Sequence, residues 1–180
     1  MHSDGGTPWL HPLLHANISD FSEQRYSATF SGSEFFFTDY KIHGLSLLPS
    51  MVYLEMALAA MQQISKGQCD FQFQNIQWAK LHQLGESEVT LNISLYPETD
   101  GAVSYDIYTE AEREEKPVVC NQRAVMPVLI ENPVSIDIVD LQTRYQQNRI
   151  HESEGYRVFQ ERGLEYGPAF QCIETVFVGH

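Results

Sequence analysis

Residues 51–64 read MVYLEMALAAMQQI, and this stretch decides the fold. It is rich in strong helix formers and contains neither Gly nor Pro, so it predicts an α-helix. Apolar side chains fall on nearly every face of that helix, namely Met51, Val52, Leu54, Ala57 and Leu58. A helix that is apolar on all sides is usually buried. We therefore predict one central helix enclosed by the rest of the domain, with Pro49 just before its first turn.

The segments around this helix show the two-residue periodicity of β-strands. The predicted strands cover residues 18–30, 34–42, 71–81, 89–95, 103–107 and 118–126. The 71–81 strand breaks its alternation near Asn75, which suits a β-bulge, and residues 97–101 read as a hairpin turn. In 89–95 the alternation predicts one buried face. An antiparallel sheet wrapped around a buried helix is a hot-dog fold, of the α+β class.

The composition narrows the classes of partner. The 180 residues are 43% hydrophobic and carry a formal net charge of −13. A chain this acidic repels phosphate backbones and anionic lipid, so we expect neither nucleic acid nor a membrane as partner. No apolar run approaches the roughly 20 residues that span a bilayer.

The three cysteines, Cys69, Cys120 and Cys172, are widely spaced and form no CxxC pair. This is neither a disulfide framework nor a zinc motif, so no metal is expected and a reducing cytoplasm fits. Each cysteine is expected to be a small buried residue.

The chain divides into four segments. Residues 1–10 form a polar lead-in, and 11–126 form the first hot-dog subdomain. Residues 127–162 read as a linker with short helices at 138–145 and 152–162, the second stopped by Gly163. Residues 163–180 become apolar and strand-like again, and we expect them to begin a second subdomain that is cut short.

Three motifs lie in order along these segments. HPLL stands at 11–14, DYKIHGLSLLPS at 39–50 runs into YLEMA at 53–57, and GLEYGPAFQ stands at 163–171. Together they resemble the dehydratase domain of modular polyketide synthases, whose pattern is HPLL, then DHxVxGxxLLPGxxYLEMA, then GxxYGPxFQ. The resemblance implies a double hot-dog domain, of which this chain would be the first half and the start of the second.

The resemblance also implies a reaction. Dehydratases of this family remove water from a 3-hydroxyacyl chain that is carried as a thioester on the phosphopantetheine arm of an acyl carrier protein. A His from HxxxGxxxxP and an Asp from the second half perform it, without a further cofactor or a metal. The implied partners are the carrier protein and neighbouring synthase domains.

This chain departs from the family pattern in three ways. Tyr40 stands where the family has its His, Ser50 replaces the Gly of LLPG, and the segment that would carry the Asp is absent. By resemblance, Tyr40 marks the catalytic position. The implied substrate-binding positions are Gly44, Pro49, Tyr166, Gly167 and Pro168.

Tyr40 is a poor substitute for the base. An unperturbed phenol has a pKa of about 10, and ionising it at neutral pH would require roughly 4 kcal/mol of stabilisation. The neighbouring cation Lys41 points to the opposite face of a strand, as does His43. A neutral Tyr40 would either donate a hydrogen bond or fill the vacated space with its ring. Glu55, the one charge in the helix, would be an acid in the tunnel or a carboxylate satisfied by a neighbouring donor.

The sequence is compatible with three functions. We expect a dehydratase-like domain that is inactive by itself, with a structural or protein-interaction role and self-association through the exposed half-domain face. The alternative is half of a split or truncated dehydratase or enoyl isomerase, completed by the missing second hot dog. A free-standing hot-dog thioesterase or dehydratase of fatty-acid metabolism is a third, against which the segment 166–171 argues.

Overall fold

The computed structural model describes residues 9–65, 71–78, 83, 88–109, 119–125, 135–145 and 148–179. The helices are α1 (Phe35–Thr38), α2 (Ser50–Ser65), α3 (Ile138–Arg144) and α4 (Glu152–Glu161), with a 3-10 helix at Pro168–Phe170. The first strands are β1 (Ala16–Asn17), β2 (Gln24–Phe30), β3 (Tyr40–Ile42), β4 (Leu45–Ser46), β5 (Gln72–Gln74) and β6 (Gln77–Trp78). The later strands are β7 (Val89–Pro97), β8 (Val103–Tyr108), β9 (Val119–Val125), β10 (Asn148–His151), β11 (Leu164–Tyr166) and β12 (Thr175–Val178).

A seven-stranded antiparallel sheet forms the body of the molecule. Its order is β1-β2-β7-β8-β9-β5, with β6 also pairing β9. The β7–β8 hairpin closes through bonds from the Glu98 N–H to the Ala102 carbonyl and from the Gly101 N–H to the Glu98 carbonyl. This confirms the hairpin that the alternating pattern predicts. The break near Asn75 is also confirmed, since Asn75 takes a φ of +57° between β5 and β6; Leu81 lies outside the described residues.

The sheet packs on α2, and the core lies between them. Tyr53, Met56, Ala57, Ala60 and Met61 of the helix are nearly inaccessible to solvent, as are Leu91, Ile93, Tyr105 and Ile107 of the sheet. The two alanines present little side chain, so the helix axis can lie close to the strands. The prediction of an antiparallel sheet packed on a central helix is thus confirmed.

One face of α2 is open, contrary to the prediction that the helix is enclosed. Met51 is 65% exposed, Glu55 and Gln62 are exposed, and Leu54 and Leu58 are only half-buried. These residues follow one another at helical spacing, so they form a single stripe. Composition alone does not distinguish a helix covered by one sheet from a helix enclosed on all sides.

The predicted strand over 34–42 is wrong in its first half. Residues 35–38 form α1, and both Phe36 and Phe37 are buried. Adjacent residues of a strand point to opposite faces, whereas a helical turn lets both rings reach one core. The Glu34 carboxylate also accepts hydrogen bonds from the Ser31 and Gly32 N–H groups, which fixes the chain as it enters α1.

The predicted strand over 18–30 begins later than expected, at Gln24. The Asp20 carboxylate accepts hydrogen bonds from the N–H groups of Ser22 and Glu23, and these turn the chain between β1 and β2. In β7 the face opposite the helix is covered as well, since Asn92 and Ser94 are 2% and 0% exposed. The one-sided burial predicted for 89–95 is therefore wrong.

Both predicted helices of 127–162 are present as α3 and α4. The Asp137 carboxylate caps α3 by accepting the Asp140 N–H, and Gly163 ends α4 with a φ of +78°. Between them lies β10, which the sequence pattern does not indicate and which pairs antiparallel with β12. The subdomain boundaries themselves stay a prediction.

A second, three-stranded sheet joins distant parts of the chain. Its order is β11-β3-β4, and in the β3–β11 pair Tyr40 lies opposite Tyr166 and Lys41 opposite Glu165. We call this unit the seam. It comprises the β3–β11 pair, the preceding Asp39, the turn at His43 and Gly44, and the flanking residues Gly163 and 167–169. The two motifs DYKIHG and GLEYGPAF are therefore one structural unit.

Asp39 fixes the end of the seam. Its carbonyl accepts the Gly167 N–H at 2.8 Å, and its carboxylate accepts the Ala169 N–H at 2.9 Å, at the start of the 3-10 helix. A Cβ added to Gly167 would lie 2.5 Å from Asp39 Cγ and 2.9 Å from its Cα. Gly167 is therefore required by close packing against Asp39, because its own φ of −78° is open to any residue.

Cys172 is exposed, contrary to expectation, while Cys69 and the side chain of Cys120 lie outside what the structure describes. Within the described residues, no helix is both long enough and apolar enough to cross a membrane.

We predict that Gly167→Ala destabilises the chain by about 1–3 kcal/mol, because the added methyl group overpacks the contact with Asp39. The matched control is Gly155→Ala inside α4, where a Cβ would meet only the Ile150 side chain at 4.0 Å. That substitution should stabilise the chain by roughly 0.5–1 kcal/mol. Urea unfolding measures both, and equal effects of the two variants would contradict the described packing of the seam.

Candidate functional site

The site is built around Tyr40, the first residue of β3. Its half-buried ring lies 5.7 Å from the Tyr166 ring and 5.5 Å from the Phe170 ring, between centroids. The Tyr166 and Phe170 rings face each other at 6.3 Å with planes 25° apart. Three rings from two distant motifs thus form one aromatic cluster.

Helix α4 extends this cluster, which sequence reasoning missed. Tyr156 and Phe159 lie 6.3 Å and 5.4 Å from the Tyr166 ring. The signal was available, since the two residues are three apart on a predicted helix and therefore share a face. Local sequence does not indicate that they contact Tyr166, because that contact depends on the tertiary fold.

The surroundings of Tyr40 favour the neutral phenol. Burial raises the pKa of its hydroxyl, and the neighbouring Tyr166 raises it further. Lys41 is the next residue of the strand, so its side chain leaves on the opposite face. The phenol therefore stays protonated at neutral pH.

Gly44 lies away from this cluster, at the far end of β3. His43 and Gly44 have φ values of +51° and +76° and form the tight turn between β3 and β4. The Gly44 N–H donates to Glu165 Oε1 at 3.0 Å, and the His43 N–H donates to the Gly163 carbonyl at 2.7 Å. The structure thus places both residues in the seam, on an exposed turn.

The other predicted binding residues are divided between two places. Tyr166 contacts Tyr40, Gly167 packs on Asp39, and Pro168 opens the 3-10 helix. Pro49 is buried at the start of α2, where it lines a cavity of about 380 Å³.

This cavity lies beside the N-terminal end of α2. Its apolar walls come from the HPLL segment, α1, α2 and the 3-10 helix, and include Leu13, Phe35, Phe36, Met51, Val52 and Phe170. Its two titratable lining residues among those described are His11 and Glu55, with His11 Nε2 3.9 Å from Glu55 Oε1. Phe170 contacts Tyr40, so position 40 adjoins the cavity wall.

A second cavity, of about 340 Å³, lies between α4 and β11. It is more polar, and its lining includes Ser153, Arg157, Gln160, Glu165, Tyr166 and Gln171. Arg157 forms an ion pair with Glu161 one turn along α4. Across the described residues, no group of three or more His, Cys, Asp or Glu side chains could hold a metal ion.

The chain matches a known protein family and known synthases in sequence. The family of the polyketide synthase dehydratase domain matches residues 11–110. The polyketide synthase PksN of Bacillus subtilis is 36% identical over 174 residues, which cover 94% of this chain and 3% of PksN. The chain thus spans a small part of that large relative.

Solved structures agree with the fold. A trans-AT polyketide synthase dehydratase domain from Brevibacillus brevis is 39% identical, with a TM-score of 0.84 over 96% of this chain and 66% of that one. The dehydratase domain from the CurF module of curacin polyketide synthase, 21% identical, shares the fold with a TM-score of 0.82 over 94% of this chain and 63% of that one. The chain therefore belongs to the polyketide synthase dehydratase domain family and forms the N-terminal part of such a domain, with the family's hot-dog fold.

Proposed function

We propose that this chain belongs to a dehydratase-type domain that does not dehydrate its substrate, because Tyr40 occupies the position of the catalytic base. The observation that supports this is the setting of the phenol. It lies in an aromatic cluster with Tyr166 and Phe170, and burial raises its pKa.

The reaction makes specific demands that this setting does not meet. Dehydrating a 3-hydroxyacyl thioester breaks the C2–H and C3–O bonds, forms a C2–C3 double bond and releases one water. A base must accept the C2 proton, and an acid must protonate the leaving hydroxyl. A general base works best when its pKa lies near the operating pH, as for imidazole, and a phenol with a raised pKa is already protonated there.

The packing favours a space-filling role for Tyr40 over a role in hydrogen bonding to substrate. Its ring has partners on β11 and on the 3-10 helix, so it helps to hold the seam closed. Gly44 and Gly167, both expected by resemblance to meet substrate, act in the same seam. Three of the positions implied by resemblance, Tyr40, Gly44 and Gly167, thus help to join the two motifs.

Without dehydration, the role of the domain is structural or consists of binding other proteins of the synthase. The curated relatives are large polyketide synthases, of which this chain spans 3–4%. In such an assembly the domain would contact neighbouring domains and an acyl carrier protein whose phosphopantetheine arm presents the acyl thioester. No other cofactor is needed for this role, and a cytoplasmic location stays a prediction.

A second candidate is an active dehydratase or enoyl isomerase completed by sequence outside this chain. The observation that favours it is coverage, since the chain spans only 66% of the Brevibacillus dehydratase domain. The remaining third would supply the acid, and Tyr40 would assist.

The two candidates differ in one assay. We predict that a polypeptide extended to the full dehydratase domain converts no 3-hydroxyacyl-pantetheine thioester to its enoyl product, whereas its Tyr40→His variant does, because imidazole supplies the missing base. Mass spectrometry detects the loss of water or its absence. Tyr40→Phe is the control, and dehydration by the unaltered polypeptide that Tyr40→Phe abolishes would overturn the proposal in favour of the second candidate.

The open stripe of α2 generates a further prediction. Its apolar members Met51, Leu54 and Leu58 would be covered if two copies met through this face. Light scattering at rising concentration should therefore show a mass approaching twice that of the chain, and Leu58→Glu should shift it back to the monomer. Gln63→Glu adds the same charge on a different face and should change nothing; a monomer at every concentration would refute self-association.

A further inference from the structure

The hydroxyl group of Tyr156, on α4, is bonded to the chain segment that follows the 3-10 helix. It accepts the Ile173 N–H at 2.9 Å and donates a longer bond to the Phe170 carbonyl at 3.4 Å. Both directions are set by the partners, because a backbone N–H only donates and a carbonyl only accepts. Residues 170–173 are therefore tied to α4 through one oxygen atom.

Phe170 connects this segment with the candidate site. Its ring lies 5.5 Å from the Tyr40 ring and 6.1 Å from the Phe35 ring, between centroids. The bonds from Tyr156 to the Phe170 carbonyl and to the Ile173 N–H limit how far this part of the chain moves. If the segment were released from α4, the Phe170 ring would no longer be held against position 40.

The segment is held at both ends, by residues that are far apart in the sequence. Asp39, just before β3, accepts the Ala169 N–H at 2.9 Å, and Tyr156 holds the other end. The Tyr156 ring also packs edge-on against the Tyr166 ring, at 6.3 Å with planes 80° apart. Phe159 contacts Tyr166 from the same helix but has no side-chain polar atom. The directional contact from α4 to this segment therefore comes from Tyr156.

We infer that Tyr156 is a positioning residue for the side chain at position 40. It acts through Phe170, whose ring it holds against that side chain, and through the packing of Tyr166. Proton transfer is sensitive to such placement, because a shift of about 1 Å can lower a rate by about two orders of magnitude. The activity test below rests on the proposed function, whereas the test of the contact does not.

The contact is tested by NMR on the whole chain. Tyr156→Phe keeps the ring and removes both hydrogen bonds, so the cross-relaxation between the ring protons of Tyr40 and Phe170 should weaken. The Tyr40 ring signals should shift towards those of an unstructured tyrosine. Tyr145→Phe is the matched control, since it removes the same atom from a residue at the end of α3 that is 40% exposed. It should leave both observations unchanged.

The consequence for chemistry is tested in the polypeptide extended to the full dehydratase domain and carrying Tyr40→His. Adding Tyr156→Phe should lower its kcat for dehydration about tenfold, because the base is less well placed. Adding Tyr145→Phe should leave kcat unchanged. If Tyr40→His itself shows no dehydration, the proposed function fails, and the NMR comparison alone decides the role of Tyr156.

An unchanged contact between Tyr40 and Phe170 in the Tyr156→Phe variant would overturn the inference. It would do so even if urea unfolding showed a loss of stability, since Tyr156 would then be a structural residue only. If the variant does not fold, amide exchange in the unaltered chain decides. The Ile173 amide should exchange with deuterium more slowly than in an unstructured peptide, and exchange at the unstructured rate would refute the bond to Tyr156.

Discussion

The hydrogen bonds that Asp39 makes to Gly167 and Ala169 are the constraint on which the candidate site depends. They fix the end of β3 against the 3-10 helix and set Tyr40 opposite Tyr166. Gly167 permits the contact because a side chain there would overlap Asp39. Two motifs that are far apart in the sequence therefore act as one element.

This constraint also determines what surrounds position 40. Once β3 and β11 are paired, the side chain at position 40 must lie among aromatic rings. Imidazole in such a place can exchange protons near neutral pH, whereas a buried phenol holds its proton. On the proposed function, a phenol at position 40 in place of imidazole changes the chemistry, while the fold, shared at a TM-score of 0.84 with a dehydratase domain, is kept.

The local sequence pattern was enough to predict those helices and strands that local interactions stabilise. Helix α2, the β7–β8 hairpin and the two helices after residue 135 follow from propensity, periodicity and turn residues. The local pattern failed to predict the structure where long-range contacts determine the conformation or the burial of a segment. Residues 35–38, three of them Phe, read as a strand until the core is known, and the open face of α2 depends on how much of the helix one sheet covers. Motif resemblance predicts the candidate site residues, whereas the contact of Tyr166 with Tyr40 follows only from the pairing of β3 with β11.

The protonation state of Tyr40 is the central claim, and its titration tests that claim most directly. With 13C at the phenol carbon of the nine tyrosines, the signal missing from Tyr40→Phe identifies Tyr40. Burial and the adjacent Tyr166 should place its midpoint above the ordinary value of 10.0. A midpoint near 7 would show a phenolate available as a base at neutral pH and would contradict the account.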